Sequence, residues 1–551
     1  MSLQIINQTT LSIMQENNNP FSQEYDVIII GGGITGAGTA RDCALRGLKV
    51  LLVERFDFTH GATGRNHGLL HSGARYAVTD QESAEECIGE NMILRQIARH
   101  CIEETDGLFV TLPEDDLSYQ ATFVDACLRA GISAEVIDPA EARVIEPSVN
   151  PTIIGAVRVP DASIDPFTLT TANLLDARRY GAVTLTYHEV IEMIVENARV
   201  IGVKLRNNLT GETGTAYAPV TVNAAGIWGT LIAKQAGIVI NMFPAKGSLL
   251  IFSRRVNNMV INRCRKPANG DILVPDKIVS MLGTTSDRVP ITEIDNMRVT
   301  PEEVEILLSE GVKMVPALAR TRILRAYAGV RPLVASDDDP SGRSISRGIV
   351  CLDHKERDGM DGFITITGGK LMTYRLMAER ATDLVCHKIN KVGACTTAIL
   401  PLPGSDEKVP KKRGNQHAVT VKAAQDRHGS LTKEIKEKSA EDKAMVCECE
   451  HASVGEMKYA IEKLHVSNLT NLRRRTRMGM GSCQGKLCAC RAATLLCKAG
   501  GDAQDVLADL AAFMNERWKG MRPVAWGSTL SEAQLTTLIY EGLCGLKIVN
   551  S

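Results

Sequence analysis

The chain has 551 residues, enough for two to four domains and a large hydrophobic core. Lys and Arg (63) balance Asp and Glu (64), and a formal net charge of −1 argues against a general nucleic-acid-binding protein, which usually carries a basic excess. No apolar run approaches the roughly 18 residues of a membrane-spanning helix. Residues 1–23 lack the basic and apolar segments of a secretory signal, so we predict a disordered lead-in there.

Residues 26–55 predict the start of a nucleotide-binding βαβ unit. Val27–Ile30 is a short apolar run rich in β-branched residues, typical of a strand buried on both faces. Gly31, Gly33 and Gly36 follow at GxGxxG spacing. This spacing suits a tight turn, a close approach of the backbone to a pyrophosphate, and close packing of the next helix on its strand.

The residues that follow agree with this interpretation. Residues 35–46 predict a helix whose free N–H groups and positive dipole end would face phosphates, and Gly47 ends it. Val50–Val53 predicts a second buried strand. Glu54 comes about 18 residues after Gly36, near the separation at which a carboxylate reaches a ribose hydroxyl. The simpler alternative is a glycine-rich turn in an ordinary βαβ unit.

A long loop rich in Gly, His, Ser and Thr comes next. Its small residues allow the backbone to approach a ligand closely. Its polar side chains are more numerous than a surface loop needs: Arg65, Asn66, His67, His71, Arg75 and Tyr76. Thr79 or Asp80 then predicts the N-cap of a helix that runs to about Cys101.

The chain from residue 107 to residue 400 predicts mixed strands and helices. Helices are expected at three places, one opened by Asp138 and the others over 167–180 and 301–318. Residues 242–286 alternate as in an antiparallel sheet. A strand over 220–229 runs into Ala225 and Gly226, and a strand over 363–367 is followed by Gly368, Gly369 and a helix that begins near Lys370.

The composition changes at about residue 402. Residues 401–444 predict a charged linker with one or two short helices, 445–500 a cysteine-rich unit, and 501–551 a C-terminal tail. The basic run within the unit predicts a solvated helix face, and the alternatives are docking of an acidic partner subunit or tuning of a nearby redox centre. This run consists of Arg473, Arg474, Arg475 and Arg477.

Five separated motifs carry a resemblance to a known family: DVIIIGGGITG, ATGRNHGLLHSGARY, NAAGIW, AGVRPL and TITGGKLMTYR. Residues 24–400 resemble the FAD-dependent glycerol-3-phosphate dehydrogenases, a branch of the D-amino-acid-oxidase-like flavoproteins. The cysteine unit, CEC followed by GMGSCQGKLC, resembles the bacterioferritin-associated-ferredoxin type of [2Fe–2S] domain.

The resemblance implies an α/β fold. A Rossmann-type FAD-binding domain would be interleaved with an antiparallel-sheet substrate domain, formed by segments 107–162 and 242–325. A small C-terminal cysteine-rich iron–sulfur domain would follow.

The same resemblance implies an activity and a setting. The chain would oxidise sn-glycerol 3-phosphate to dihydroxyacetone phosphate, passing two electrons to non-covalent FAD. Two further subunits would take the electrons to the membrane quinone. We therefore expect a peripheral protein on the cytoplasmic side of the inner membrane, soluble when alone and reaching the membrane through its partners.

Oxidation of an alcohol carbon needs a flavin over that carbon, a base for the hydroxyl proton and a clamp for the anionic end. Arg331 is the first candidate for the clamp because a guanidinium matches phosphate oxygens bidentately. Arg75, in the family's Arg–Tyr pair with Tyr76, is the second. The alternative for either arginine is a structural ion pair. His71 is the candidate base, and a histidine that hydrogen-bonds loop backbone is the alternative.

Lys370 is expected to stabilise negative charge on the reduced flavin, together with the dipole of the helix that follows it. Two residues later, many relatives have Thr where this chain has Met372. Thr373 is the candidate replacement for that hydroxyl.

The resemblance also implies a set of residues around FAD. They are Gly31, Gly33, Gly36, Glu54, Arg55, Thr63, Asn66, Gly68, Leu69, Val190, Ala225, Gly226, Gly368, Gly369, Lys370 and Leu371.

Four cysteines are expected to bind a [2Fe–2S] cluster: Cys447, Cys449, Cys483 and Cys488. A C-x-C pair and a later C-x₄-C pair on two loops could enclose one small cluster, as four-cysteine ligation requires. Cys490 is the competitor for Cys488. The alternatives for the site as a whole are structural zinc, which four thiolates also suit, and a vacated site.

Two other functions compete with the leading one. An amino-acid or sarcosine-type dehydrogenase of the same fold would use one arginine for a carboxylate and lack the GGKLMTYR segment. A non-catalytic flavin–iron relay would have lost its clamp and base, whereas Arg331, Lys370 and His71 are all present.

Overall fold

A six-stranded sheet carries the predicted nucleotide-binding unit at its centre. The computed structural model describes residues 20–21, 23–334, 348–406, 419–437 and 439–547. The order across the sheet is Ile349–Asp353, Phe363–Gly368, Val220–Asn223, Val27–Ile30, Val50–Val53 and Val183–Leu185. The first pair in this order is antiparallel and the other pairs are parallel. The strands Val27–Ile30 and Val50–Val53 have the predicted bounds.

Alternate residues of the central strand bury against different layers. Val27 and Ile29 belong to the apolar cluster formed with helices on one face, while Ile28 and Ile30 belong to the cluster on the other face. The helices of the first layer are Ile34–Leu45, Pro166–Arg179 and Tyr374–Lys388. The other layer is an antiparallel sheet of His188–Glu196, Arg199–Asn207 and Thr213–Tyr217. Burial on both faces explains why these strands are uniformly apolar.

A second large sheet joins the two segments predicted for the substrate domain. Its order is Asp287–Arg288, Met242–Phe252, Val279–Gly283, Ile272–Asp276, Val260–Arg263, Gly107–Thr111, Gly155–Val159 and Glu135–Ile137, with Ile323–Val334 also paired to Met242–Phe252. Val260–Arg263 runs parallel to Gly107–Thr111 and so connects segment 242–325 to segment 107–162. The other pairs are antiparallel, as the alternating sequence predicts.

Side-chain caps set the starts of several helices. Asp80 accepts a hydrogen bond from the Ser83 N–H and caps the helix Gln81–Ile97, which ends four residues before the predicted Cys101. Thr300 forms a capping box with Glu303 at the start of Pro301–Met314. The remaining helices before residue 445 are Ser118–Arg129, Pro139–Ile145, Gly229–Gln235, His354–Asp358, Val419–His428 and Ala440–Lys443.

The cysteine-rich unit and the predicted tail share one hydrophobic core. Met457, Leu472 and Leu496 cluster with Phe513 and Tyr540, which lie beyond residue 500. The helices here are Val454–Lys463, Leu469–Thr476, Cys488–Lys498, Ala503–Met521 and Gly527–Thr537, followed by the π-helical turn Leu538–Leu543. The segment predicted as a tail therefore contains helices that contribute to this core.

The prediction of a solvated arginine face is wrong. Arg474, Arg475 and Arg477 are buried. Arg474 and Arg475 both donate hydrogen bonds to Asp57, in the loop that follows the strand Val50–Val53. Their partners are distant in sequence, so the local pattern alone indicated an exposed helix face.

Three further predictions concern the N-terminal lead-in, the linker and membrane-spanning helices. The lead-in over 1–23 lies outside the described residues except for residues 20, 21 and 23. The linker over 401–444 is described except for residues 407–418 and 438, and it contains two short helices as expected. None of the helices in the described ranges has the length and apolar character needed to cross a membrane.

Candidate functional site

A cavity of about 480 Å³ lies between the six-stranded sheet and the second large sheet. It brings together most of the residues predicted around FAD. Those in its lining are Gly31, Gly33, Glu54, Arg55, Thr63, Asn66, Leu69, Val190, Ala225, Gly226, Gly368, Gly369, Lys370 and Leu371. His71, Arg75, Tyr76 and Arg331 line it too. Gly36 and Gly68 do not: Gly36 lies behind the turn, and Gly68 lines a neighbouring cavity.

The glycine turn leaves no room for side chains at two of its positions. Gly31 has φ +113°, and a Cβ there would lie 2.5 Å from the Ala224 carbonyl oxygen. A Cβ on Gly36 would lie 1.9 Å from the Gly31 carbonyl oxygen. Both glycines are therefore required by close backbone contacts, as the GxGxxG pattern predicts.

The helix Ile34–Leu45 presents its N-terminus to the cavity. Gly33, the N-cap residue, provides no side-chain cap, and the Thr63 hydroxyl accepts a hydrogen bond from the Ile34 N–H at 3.1 Å. The free N–H groups and the positive end of the helix dipole create a favourable environment for a phosphate group.

Glu54 ends the second strand with both carboxylate oxygens held. The Gly32 N–H donates to Oε2 at 2.7 Å and the Phe56 N–H donates to Oε1 at 2.9 Å. Burial raises the pKa of Glu54, and these two N–H groups act in the opposite direction. Each oxygen retains acceptor capacity that a ribose hydroxyl could use.

Arg331 enters the cavity from the long strand Ile323–Val334. Its Nη2 donates to the Thr284 hydroxyl at 2.6 Å and to the Thr285 carbonyl at 3.1 Å. A Cβ at Gly247, on the paired strand, would lie 2.5 Å from Nη2, so the glycine makes room for the guanidinium. Both of these hydrogen bonds are therefore to neutral oxygens.

Arg75 is held differently. Its Nη2 donates to Asp271 at 3.1 Å, and Nη1 is buried without a hydrogen-bond partner among the described residues. Burial alone would raise the pKa of Asp271, but the charges of Arg75 and Arg265 lower it. The structural ion pair foreseen as the alternative for Arg75 is therefore present, and one nitrogen remains for a ligand.

Lys370, Tyr76 and His71 form a polar corner of the cavity. The Lys370 ammonium lies 4.6 Å from the centre of the Tyr76 ring, and the His71 and Tyr76 rings are 5.5 Å apart. His71 is buried, with 7% of its surface exposed. The three side chains lie close enough to act on one small substrate.

The predicted helix start at Lys370 is wrong. The helix begins at Tyr374, after a turn in which the Thr373 hydroxyl accepts from the Lys370 N–H at 2.9 Å and donates to the Lys370 carbonyl at 3.1 Å. Thr373 is fully buried, so its hydroxyl fixes the Lys370 backbone and does not line the cavity. Met372 packs in an apolar cluster.

The four predicted cluster cysteines contact one another through Cys483 and Cys488. Cys449 and Cys488 lower the pKa of the Cys483 thiol, and Cys447 and Cys483 raise the pKa of the Cys488 thiol, so each of these pairs lies close together. Cys490 instead contacts Tyr540 and Cys544. The four predicted thiols therefore form a chain of neighbours that excludes Cys490.

Backbone N–H groups act on two of these sulfurs. Together with the Cys488 thiol, those of Gly479 and Glu450 lower the pKa of Cys447; together with the Cys449 and Cys488 thiols, those of Leu487 and Gly485 lower the pKa of Cys483. A Cβ on Gly481 would lie 2.3 Å from the Cys449 Cβ. Among the residues that the structure describes, no three His, Cys, Asp or Glu side chains are arranged to hold a single metal ion.

Sequence reasoning missed the residues that hold the two arginine candidates. Thr284 and Thr285 bind Arg331, and Asp271 binds Arg75.

A further contact that was missed lies at another part of the cavity lining. Trp228 donates from Nε1 to Asp295 at 2.8 Å, and Asp295 also pairs with Arg55. Each of these contacts joins segments that are far apart in sequence, so no local motif indicates them.

Comparisons with known proteins agree with this geometry. Residues 26–375 match the family described as FAD dependent oxidoreductase. The chain is 63% identical over 533 residues to a subunit of the anaerobic glycerol-3-phosphate dehydrogenase of Escherichia coli (strain K12), covering 96% of this chain and 98% of that protein. It is 58% identical over 544 residues to the subunit of the same name in Haemophilus influenzae, covering 98% and 96%.

A solved structure shows the same fold. The glycerol-3-phosphate dehydrogenase from Bacillus halodurans, complexed with FAD, matches with a TM-score of 0.65 at 22% identity, covering 94% of this chain and 95% of that one. The predicted FAD-binding α/β fold is confirmed. The chain belongs to the FAD-dependent oxidoreductases and, within them, to the glycerol-3-phosphate dehydrogenase family.

Proposed function

We propose that this chain oxidises sn-glycerol 3-phosphate to dihydroxyacetone phosphate. The observation that carries the proposal is the pair of arginines, Arg75 and Arg331, in the lining of a cavity whose other side has the features of an FAD site. Arg75 has a buried nitrogen without a hydrogen-bond partner among the described residues, and Arg331 is bonded to neutral oxygens. Guanidinium groups held in this way suit a phosphate dianion.

The residues present fit FAD. Gly31 and Gly36 permit the backbone turn, the helix N-terminus at Ile34 faces the cavity, and Glu54 has acceptor capacity for a ribose. When bound, FAD supplies the acceptor for the hydride that leaves the alcohol carbon.

His71 is the proposed base. The oxidation removes a proton from the substrate hydroxyl and a hydride from the carbon that bears it, and the imidazole accepts the proton. His71 is buried beside Tyr76, in the part of the cavity that Lys370 also lines. Lys370 contributes a positive charge that stabilises negative charge developing nearby. Its position depends on the Thr373 turn and not on a helix end.

We propose that Cys447, Cys449, Cys483 and Cys488 hold a [2Fe–2S] cluster. Their pairwise contacts support this, because two irons share four thiolates between them, whereas a zinc site needs all four around one point. The N–H donors to Cys447 and Cys483 are of the kind that tune iron–sulfur potentials. The contacts of Cys488 favour it over Cys490 as the fourth ligand.

The proposed setting is a complex with further subunits that accept the electrons and pass them to membrane quinone. Its support is that the relatives at 63% and 58% identity are named as single subunits of a larger enzyme. Under this proposal the chain is peripheral, on the cytoplasmic side, and reaches the membrane through its partners. Tight binding of the isolated chain to protein-free liposomes would contradict it.

Anaerobic reduction tests the proposed activity. The purified, FAD-loaded chain is mixed with sn-glycerol 3-phosphate without oxygen while the visible flavin absorbance is recorded. We expect bleaching by sn-glycerol 3-phosphate and little or none by glycerol, sarcosine or proline. Bleaching by an amino acid in preference to the phosphate ester would assign the chain to another substrate class.

A further inference from the structure

A second cavity of about 320 Å³ lies between the second large sheet, which contains Ile323–Val334, and the C-terminal helices. Its walls come from the strand Ile323–Val334, the loop at residues 59–68, and the helices Leu469–Thr476 and Ala503–Met521. It shares His60, Arg65 and Asn66 with the lining of the proposed FAD cavity. It is large enough for a small organic ligand.

The lining of this second cavity carries an excess of positive charge. Five of its arginines form no ion pair with any residue that the structure describes: the exposed Arg298 and the buried or half-buried Arg65, Arg325, Arg473 and Arg517. Their neighbours Arg474 and Arg477 differ, since Arg474 pairs with Asp57 and Arg477 pairs with three carboxylates. Two of the lining carboxylates, Asp165 and Asp276, pair with Arg477. The remaining one, Glu516, cannot balance the guanidinium groups that have no ion pair.

Two nitrogens of these unpaired arginines have unmet hydrogen-bonding capacity. Arg325 Nε and Arg517 Nη2 are buried without a hydrogen-bond partner in the part of the chain that the structure describes. Arg325 is 7% exposed and Arg517 4% exposed. Buried guanidinium groups are ordinarily paired, because desolvating an unpaired charge is costly.

The titration of neighbouring groups agrees with this excess. Burial and the charges of Arg325 and Arg474 lower the pKa of Arg473 to about 9. Burial alone would raise the pKa of Glu516, but the charges of Arg325, Lys519 and other nearby cations lower it. An anion with two negative charges would relieve the repulsion among the arginines.

The rest of the lining indicates what kind of anion fits. Met281, Tyr327 and Phe513 provide apolar and aromatic surface beside the charged groups. Arg298 and Lys519 lie at the more exposed side, where they could attract an anion from solvent. A ligand therefore needs a phosphate-like end and an apolar or aromatic body.

We propose that this cavity binds a phosphate monoester with an apolar or aromatic body. Arg325, Arg473 and Arg517 would bind the phosphate by charge-assisted hydrogen bonds. The site connects the two redox regions proposed above. Tyr327 donates to the Asn66 carbonyl at 2.8 Å, in the loop that lines the FAD cavity, and Arg517 donates to Gln484, the residue after Cys483, at 3.2 Å.

The test uses the full-length, FAD-loaded chain in phosphate-free buffer, so that the dinucleotide site is occupied. Phenyl phosphate and adenosine 5′-monophosphate are the probes, with phenol and adenosine as their uncharged counterparts. We expect at least one of the two esters to bind saturably and to raise the melting temperature of the protein. The corresponding compound without phosphate, phenol or adenosine, should have no effect. Binding to Arg473→Met should be at least about tenfold weaker.

A matched control separates this cavity from the proposed catalytic site. Arg331→Met should keep the binding that Arg473→Met loses. Ligand-free Arg473→Met should be at least as stable as the wild type, because it removes one of several repelling charges; a merely structural arginine would give the opposite sign. Arg517→Met serves as the second variant if Arg473→Met fails to fold.

Three outcomes would overturn the proposal. The first is no saturable binding of either ester to the wild type. The second is equal binding by the wild type, Arg473→Met and Arg517→Met. The third is binding of inorganic phosphate or of a decaglutamate peptide in place of the esters, which would assign the charge to a free ion or to an acidic protein partner. None of these results depends on whether sn-glycerol 3-phosphate is the substrate.

Discussion

Arg475 Nη2 donates a 2.7 Å hydrogen bond to Asp57 Oδ1, across 418 residues of sequence. Arg474 donates to the other oxygen of the same carboxylate at 2.8 Å. Asp57 lies in the loop after the strand Val50–Val53, so its carboxylate is one of the groups that attach the cysteine-rich unit to the nucleotide-binding unit. A fixed attachment is what electron transfer between two cofactors in one chain would need.

Replacing this carboxylate should destabilise the protein strongly. Asp57→Asn leaves two buried cations without their partner, which costs on the order of 3–5 kcal/mol. Burial alone would raise the pKa of Asp57, but the charges of Arg475 and Arg474 lower it. Its stabilising contribution is therefore complete above the unfolded-state pKa of about 3.9 and is lost as the pH falls through the lower, folded-state pKa. Urea unfolding at several pH values measures this.

Asp125→Asn is the matched control for that prediction. Asp125 pairs with Arg129 on the exposed face of one helix, where an ion pair contributes less than about 1 kcal/mol. We expect a small loss of stability in this variant. Equal losses in the two variants would show that the attachment through Asp57 contributes no more than a surface pair.

A methyl group at Gly36 should weaken FAD binding. The added Cβ would lie 1.9 Å from the Gly31 carbonyl oxygen, so the turn would have to move. Overpacking of this kind costs about 1–3 kcal/mol, and about 2 kcal/mol corresponds to roughly 30-fold weaker binding. Titration of the apoprotein with FAD, followed by flavin fluorescence, measures the change in Gly36→Ala.

Gly89→Ala is the corresponding control, because a Cβ at Gly89 meets no atom within 4 Å and the residue lies within a helix. Its FAD affinity should equal that of the wild type. Acid or heat denaturation of either protein should release all the yellow colour. Colour retained on the precipitate would contradict non-covalent binding.

The ends of strands and helices could be predicted from the sequence where neighbouring residues determine them. Val27–Ile30 and Val50–Val53 are apolar runs buried on both faces and each is followed at once by a residue of another kind, Gly31 or Glu54, so the local sequence was enough to predict their ends. The start of the helix near Lys370 was misplaced because the local sequence does not show that Thr373 bonds back to Lys370 and delays the helix to Tyr374.

The residues of the candidate site that belong to sequence motifs could be predicted. The residues that bind them from distant segments of the chain could not. Arg75 and Arg331 were indicated by family motifs, and both line the cavity. Asp271 and Thr284, which hold them, belong to no motif. The same limit applies to Arg475, whose burial depends on an aspartate 418 residues away.

Arg331→Ala should abolish most turnover through lost phosphate binding. Removing one partner of a buried charge-assisted pair costs on the order of 2–5 kcal/mol, which is roughly 30- to several-thousand-fold in kcat/KM. Steady-state kinetics with sn-glycerol 3-phosphate measure this, and the FAD content should be unchanged. Arg288→Ala, an exposed arginine on the same sheet, should retain normal kinetics. If the wild type oxidises glycerol as well as glycerol 3-phosphate, the assignment of Arg331 as a phosphate clamp is wrong.

The cysteine contacts predict a specific metal content. Anaerobically purified protein should contain about two irons and about two acid-labile sulfides per chain and should give an electron-paramagnetic-resonance signal when reduced. Cys483 contacts the thiols of both Cys449 and Cys488, so Cys483→Ser should remove this signal. Bleaching of the flavin by substrate should persist in the variant, because it requires no transfer beyond the flavin.

Cys490→Ser distinguishes cluster ligation from general damage to this helix. Cys490 lies two residues after Cys488 at the start of Cys488–Lys498, but its contacts are Tyr540 and Cys544. The iron, the sulfide and the resonance signal should all remain in this variant. Loss of the signal in Cys490→Ser with retention in Cys488→Ser would exchange the two assignments. Stoichiometric zinc without labile sulfide, in protein never exposed to air, would replace the iron–sulfur proposal with a structural zinc site.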